Sequence, residues 1–460
     1  MTPYNIVDLG AVPGGRVDCS AVFAAIGARI RGQGGGVIVV PPGEFLVGPM
    51  KLGDNTRLHL EKGAVLRFID DPELYGPVET RWEGLICHAM HPLIFVRNAR
   101  NVILEGEGRI DGNGASWWNV HRAEKSVGQR GPRTHIEKRL AELNHYTGLE
   151  PSGGGGREAQ FLRPPLVQFL SCESVRIEGL SFIDSPFWTI HPVFCKDVVI
   201  RDISIKNPAD APNTDGIDVD SCEEVKISGV KIDVGDDCIA LKSGSGEQGL
   251  HEGKGTRNVM ISDCTFLSGH GGVVIGSETA GGVENIDVRN CTFLGSDRGI
   301  RIKSRRGRGG SIQNLSFGNL LMEGVLAPLT INMYYNCGSH PDEAGSLFSA
   351  EDQAVTKLTP QARAIVVFNL TATKCRASAG FVVGLPEAPI EGLRLENWQV
   401  SLAEEGAVPV NRVEMYQGLE EVRDRGIRVE YAQVALFKVK IEHCGGPAVV
   451  AGKGARVSLA

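Results

Sequence analysis

Cys172-Glu-Ser-Val175-Arg-Ile177-Glu-Gly179-Leu-Ser-Phe182 is followed by Cys195-Lys-Asp-Val198-Val-Ile200-Arg-Asp-Ile203-Ser-Ile205, and then by Cys222-Glu-Glu-Val225-Lys-Ile227-Ser-Gly229-Val-Lys-Ile232. Shorter copies stand at Asn258-Val259-Met-Ile261, Asn285-Ile286-Asp-Val288 and Asn314-Leu315-Ser-Phe317, with fainter ones at Asn101-Val102-Ile-Leu104-Glu-Gly106 and Gly392-Leu393-Arg-Leu395. The aligned apolar residues Val175, Val198, Val225, Val259, Ile286 and Leu315 step by 23, 27, 34, 27 and 29 residues, which lies in the range of solenoid repeats. Within each copy apolar and polar residues alternate, the mark of a strand with one buried face. Gly, Asn, Asp and Ser turns leave no room for helical crossovers, so the pattern predicts an all-β, right-handed parallel β-helix with one coil per repeat. A leucine-rich repeat would need its LxxLxL frame, which is missing.

Working outward, 460 residues would be long for one ordinary globular domain, but a solenoid core grows lengthwise. We therefore expect a single domain over residues 1–460. Ser20 to Ile30 reads as a short amphipathic helix with Ser20 as N-cap, ending near Gly32 and covering the N-terminal end of the solenoid. Two stretches break the repeat and read as loop excursions. One runs from Trp118 to Pro165, with a charged segment (Lys125 to Leu143) and a Gly153–Gly156 tract; the other runs from Gly338 to Pro360.

Composition narrows the function classes. The chain is 42% hydrophobic and 22% charged, enough for a core, and its 59 scattered glycines suit many tight turns. A net charge of −7 argues against nucleic acid or an acidic membrane as the main partner. No apolar run approaches the roughly 18 residues of a membrane span. The start, Met1-Thr-Pro-Tyr-Asn-Ile-Val-Asp, lacks the basic and apolar regions of a secretory signal. The eleven cysteines have no CxxC spacing, so a cytoplasmic protein with reduced thiols is expected, with a trimmed secretion signal as the alternative. Cys172, Cys195 and Cys222 occupy equivalent positions, which favours an interior ladder over metal ligation.

Coil alignment also makes a site readable. Gly216-Ile217-Asp-Val219-Asp corresponds to Cys238-Ile239-Ala-Leu241-Lys one coil on. Asp215 and Asp237 then hold equivalent positions about 4.8 Å apart in the stacking direction, while Asp236 points elsewhere. Three carboxylates so close cannot all ionise freely. That is the requirement of inverting glycoside hydrolysis, in which one carboxylic acid protonates the leaving oxygen and carboxylate on the other side activates a water. The stacked pair Asp215/Asp237 suits the water, and Asp236 is left as the acid. Turn chemistry alone is the competing reading of Asn213-Thr-Asp-Gly216 and Gly235-Asp-Asp237. Two coils further, Arg301 and Lys303 must share the outward side, where they suit the carboxylates of a uronic acid chain. A solvated basic stripe with Arg298, Arg305, Arg306 and Arg308 is the alternative there. His270, between glycines in Gly269-His270-Gly271, is poorly shielded and reads as functional.

Asn213-Thr-Asp-Gly216, Gly235-Asp-Asp237, Gly269-His-Gly271 and Arg301-Ile-Lys303, in that order, resemble the polygalacturonase family of glycosidases, glycoside hydrolase family 28. The resemblance spans roughly residues 4 to 400 and is loose beyond. It implies Asp236 as general acid, Asp215 with Asp237 as the water-activating pair, and His270 assisting the acid's protonation state. It also implies Arg301 and Lys303 as ligands of substrate carboxylates, with Asn213 in the substrate-binding set. A cleft tyrosine follows RIK in the family; Tyr334 and Tyr335 compete for it, and Tyr335 is preferred. Ser268 to Gly282 and Arg298 to Gly310 look most like the bacterial exo-acting members. His270 favours a galacturonate backbone, since rhamnogalacturonan hydrolases of the family tend to lack it. The expected function is therefore exo-acting, inverting hydrolysis of α-1,4-galacturonosidic bonds in pectic poly- and oligosaccharides, with no cofactor and no metal. The alternatives are rhamnogalacturonan or xylogalacturonan specificity, a calcium-dependent pectate lyase, or a β-helix that binds pectin without cleaving it. The first excursion, with Trp117, Trp118, His135, His145 and Tyr146, reads as a wall closing one end of the cleft.

Overall fold

The residue just before each aligned apolar position lies in the left-handed region: Ser174 (φ 58°), Asp197 (55°), Glu224 (57°), Asn258 (56°), Asn285 (59°) and Asn314 (57°). Asn and Asp tolerate that conformation better than most residues, which is why Asn recurs at the copy starts. The amides also chain from coil to coil, Asn285 Nδ2 donating to Asn258 Oδ1 at 3.1 Å and Asn314 Nδ2 to Asn285 Oδ1 at 3.3 Å. Each bend restarts a short strand that pairs in parallel with the same strand of the next coil. The register read from sequence is observed for Val102 with Val175, Val175 with Val198, Val198 with Val225, Val259 with Ile286 and Ile286 with Leu315, while Leu315 reaches Leu393 through Ile365, on a coil that sequence reading passed over.

The computed structural model describes residues 3–127, 132–145, 163–339 and 341–459. These fall into two compact units. The first takes in the described residues up to Asp236 except Glu83–Leu85; the second takes in Glu83–Leu85 and the chain from Asp237 onward. Each is built of parallel β-sheet, and the fold is the right-handed parallel β-helix expected, with 48% of residues in strands. In the first unit the inward ladder Leu104, Ile177, Ile200, Ile227 is at most 1% exposed; in the second so is Ile261, Val288, Phe317, Val367, Leu395. Each such side chain contributes about 1.5–3 kcal/mol by leaving water. Cys172, Cys195 and Cys222 are buried and unbridged in the first unit, with Cys195 N donating to Cys222 Sγ at 3.3 Å, so they form the interior ladder expected. Among the described residues no helix is long and apolar enough to cross a membrane.

The N-terminal helix spans Ser20–Gln33 and ends at Gly34 in the left-handed conformation. Cys19, not Ser20, is its N-cap residue. The Ser20 hydroxyl is used elsewhere, accepting from Gly48 N at 2.7 Å, while Asp18 Oδ1 accepts from Ser20 N at 2.8 Å. The first excursion, expected as loop, contains two helices. Ala115–Val127 and His135–Leu143 are α-helices, the second closed by a capping box between Thr134 and Glu137. Trp118 Nε1 donates to Ser185 O at 2.9 Å, Trp117 packs edge-on against Tyr75, and Asn144 exchanges two hydrogen bonds with the His88 backbone. The two tryptophans are thus buried anchors. Tyr146 and the Gly153–Gly156 tract lie outside the described residues. The second excursion holds a 3₁₀ turn at Pro341–Glu343 and a short helix at Ala344–Leu347.

Candidate active site

In the first unit, the strand Ile217–Asp220 is preceded by the turn that carries Asn213, Thr214 and Asp215. Thr214 Oγ1 donates to Ala211 O at 2.9 Å, and Asp215 O accepts from Thr189 N at 2.8 Å, so the turn is held at both ends. Asn213 is in the left-handed region, and its Oδ1 accepts from Arg163 Nη2 at 2.8 Å. Arg163, itself fully buried, also donates to Pro186 O and Pro212 O. The amide expected to meet substrate is therefore oriented by a cation that sequence reading passed over. Asp215 is buried, Asp236 is half-buried, and each offers an oxygen within 4.8 Å of the other. Gly235 is required before Asp236, because a Cβ there would meet the carbonyl oxygens of Ala211 at 2.6 Å and Pro208 at 2.7 Å.

The second unit opens with the strand Asp237–Lys242, next to Gly271–Ile275, which in turn pairs with Arg298–Lys303. Asp237 is fully buried, with Lys303 Nζ at 2.6 Å from its Oδ2 and Arg301 Nη1 at 3.2 Å from its Oδ1. Burial alone would raise its pKa, but Lys303, Arg301 and Lys242 outweigh burial and hold the carboxyl well below the usual carboxylate range. His270 is exposed and immediately precedes Gly271, the register partner of Asp237; its backbone oxygen accepts from Arg298 Nη1 at 3.3 Å. Gly271 leaves room for Val274 and the Arg301 stem, since a Cβ would meet Val274 Cγ2 at 2.6 Å and Arg301 Cβ and Cδ at 3.3 Å. Tyr335 lies under both cations, its ring centre 5.4 Å from the Arg301 guanidinium and 5.2 Å from Lys303 Nζ, whereas Tyr334 faces Arg306.

Two features depart from expectation. The basic residues form no solvated stripe: Arg298, Arg305, Arg306 and Arg308 are each at most 7% exposed. Arg306 pairs with Glu387 and donates to the carbonyls of Leu347 and Ser349, which fastens the second excursion. Arg308 lies beside Glu278, which also pairs with Lys242 at 3.2 Å. Arg301, in addition, is held on its far side by Glu414, a carboxylate sequence reading missed: Nη2 to Oε1 is 2.6 Å and Nε to Oε2 is 2.9 Å. Burial would raise Glu414, but Arg301 and Arg298 hold its pKa down at about 2, from an ordinary 4.5. The sign follows. A depressed folded pKa gives stability that is fully present above the unfolded value and lost as the folded group is protonated. Melting temperature should therefore fall steeply between about pH 4.5 and about 2, and Glu414→Gln should flatten that fall; a flat profile over the same window would remove the ion pair from the stability account.

Asp215 and Asp236 in the first unit, and Asp237 with its cations in the second, are the kind of carboxylates that hydrolysis of glycosides uses. Comparison with known proteins sharpens this. Residues 153–380 match the model of glycosyl hydrolases family 28, a span that takes in every motif above. The structure resembles that of an exopolygalacturonase from Thermotoga maritima, with 30% identity, a TM-score of 0.77, and coverage of 96% of this chain and 91% of that one. A probable polygalacturonase of Vitis vinifera is 28% identical over 409 residues, 87% of this chain and 74% of the relative. An endo-polygalacturonase of Pectobacterium carotovorum subsp. carotovorum is 28% identical over 342 residues, 71% of this chain and 73% of the relative. The chain belongs to glycosyl hydrolases family 28 and is a glycoside hydrolase.

Proposed function

We propose that this enzyme hydrolyses the α-1,4-galacturonosidic bonds of polygalacturonate and its oligosaccharides from a chain end, with inversion. The observation that carries the reading is the state of Asp237. A buried carboxylate held ionised by Lys303 and Arg301 has no proton to give, so its role is to polarise water as a base. The acid must then be a neighbour, and half-buried Asp236 in the same motif fills that role, with Asp215 as the second water-holding carboxylate. His270 assists the acid. Lys303, with Tyr335 beneath it, offers positive charge to a uronate carboxylate, Arg301 acts through Asp237 and Glu414, which enclose it, and Asn213, steadied by Arg163, completes the binding set. Calcium-dependent elimination would need a divalent cation at these carboxylates, where Lys303 and Arg301 already supply positive charge beside Asp237.

Exo attack is supported by the similarity to the Thermotoga exopolygalacturonase, and the first excursion, with helices at Ala115–Val127 and His135–Leu143, is the segment we assign as the wall of the cleft. Viscosity plotted against reducing ends released tests it. Exo attack keeps viscosity high while monomer or dimer accumulates. An early collapse with mixed oligomers would show an open cleft.

A further inference from the structure

Glu414 belongs to none of the motifs, yet it is among the most heavily engaged carboxylates of the second unit. It stands in the segment Val410–Gln417, between the strands Ile390–Leu402 and Ile427–Glu430. The segment is tied down along its length. Arg298 Nε donates to Val413 O at 2.8 Å, Asn332 Nδ2 to Met415 O at 2.7 Å, and Gln417 N to Tyr334 O at 3.3 Å. Glu414 is 3% exposed and accepts four hydrogen bonds: Arg301 Nη2 and Met415 N at Oε1, Arg301 Nε and Thr330 Oγ1 at Oε2. Arg301 thus spends one edge of its planar fork on Glu414 and has Nη1 directed at Asp237 Oδ1.

We propose that Glu414 is a positioning residue that acts on the base through Arg301. Two effects follow from the geometry. Locking the Nε/Nη2 edge keeps the guanidinium from turning that edge onto Asp237, so the carboxylate keeps one contact from Arg301 and stays aimed by Lys303. The negative charge of Glu414 also offsets that of Arg301, which limits how far the two cations drain the basicity of Asp237. Arg301 becomes a strut between a fixed strap and a reacting carboxylate.

The test is the kcat-against-KM split of Glu414→Gln on oligogalacturonide, at a temperature where circular dichroism shows the variant folded. The expected result is a fall in kcat of up to about a hundredfold, the size of effect that a misplaced reacting group causes. KM should stay within about threefold, and Glu414→Asp, which keeps the charge, should recover part of the loss. Wild-type kcat, or a rise in KM alone, would overturn the proposal. Should Glu414→Gln not fold, Arg301→Lys reads the same link: it keeps the charge but lacks the planar fork that meets Glu414 through Nε and Nη2 and Asp237 through Nη1, so the same split is expected and the same results would overturn it. The inference rests on Asp237 being the base, and Asp237→Asn separates the two. Turnover retained in Asp237→Asn sinks that reading; turnover lost there but normal in Glu414→Gln sinks the positioning role alone.

Discussion

Asp236→Asn is expected to lower turnover by an amount near the top of the about 10²–10⁴-fold that one general acid or base supplies, while leaving the fold and substrate affinity almost unchanged. Asp237 is buried and pinned as the anion by Lys303 at 2.6 Å and Arg301 at 3.2 Å, so it cannot hand over a proton. Asp236 is half-buried, as a group that must meet a leaving oxygen should be. Amide for carboxyl keeps the shape and hydrogen-bonding capacity but removes the transferable proton. Steady-state kinetics with isothermal binding to oligogalacturonide measures both parts. More than about a tenth of wild-type turnover in the variant would take Asp236 out of the mechanism.

The second large effect concerns discrimination. Lys303→Ala should reduce the ratio of kcat/KM for free galacturonate oligomers over methyl-esterified ones by roughly ten- to hundredfold, the worth of one charge-assisted contact. Lys303 is compact, charged and stationed over Tyr335, and its nearest carboxylate is Asp237. Losing it weakens catalysis on any substrate through Asp237, so the absolute rate is uninformative and the ratio between substrates is what reports recognition. Arg301→Ala, whose guanidinium is enclosed by Glu414 and Asp237, should hurt both substrates alike. Equal losses for Lys303→Ala would show that Lys303 too works only through the base.

The fold was legible because the β-helix repeats a local rule. One left-handed residue, one inward apolar residue and one alternation per strand recur at Asp197-Val198, Glu224-Val225 and Asn285-Ile286, so the repeat itself carries the register of the paired strands. The motif carboxylates and cations were legible because they sit on those same strands. Glu414 was not, because it lies 113 residues beyond Arg301 in a segment that follows no repeat and reaches its partner only through the fold. The burial of Arg298 to Arg308 was hidden for the same reason: the groups that cover them, Glu387, Leu347 and Val413, come from distant stretches. The helix His135–Leu143 did leave a signal, the Thr134-x-x-Glu137 capping box, which a reading of the excursion as loop passed over. Arg163, which orients Asn213, left none.

The most direct test of the central claim is proton NMR of the first sugar released from oligogalacturonide, recorded before mutarotation and repeated with EDTA. The account predicts a saturated product that appears first as the β-anomer, at the same rate with and without chelator. A first-formed α-anomer, or an unsaturated product whose formation stops with EDTA and returns with calcium, would contradict it.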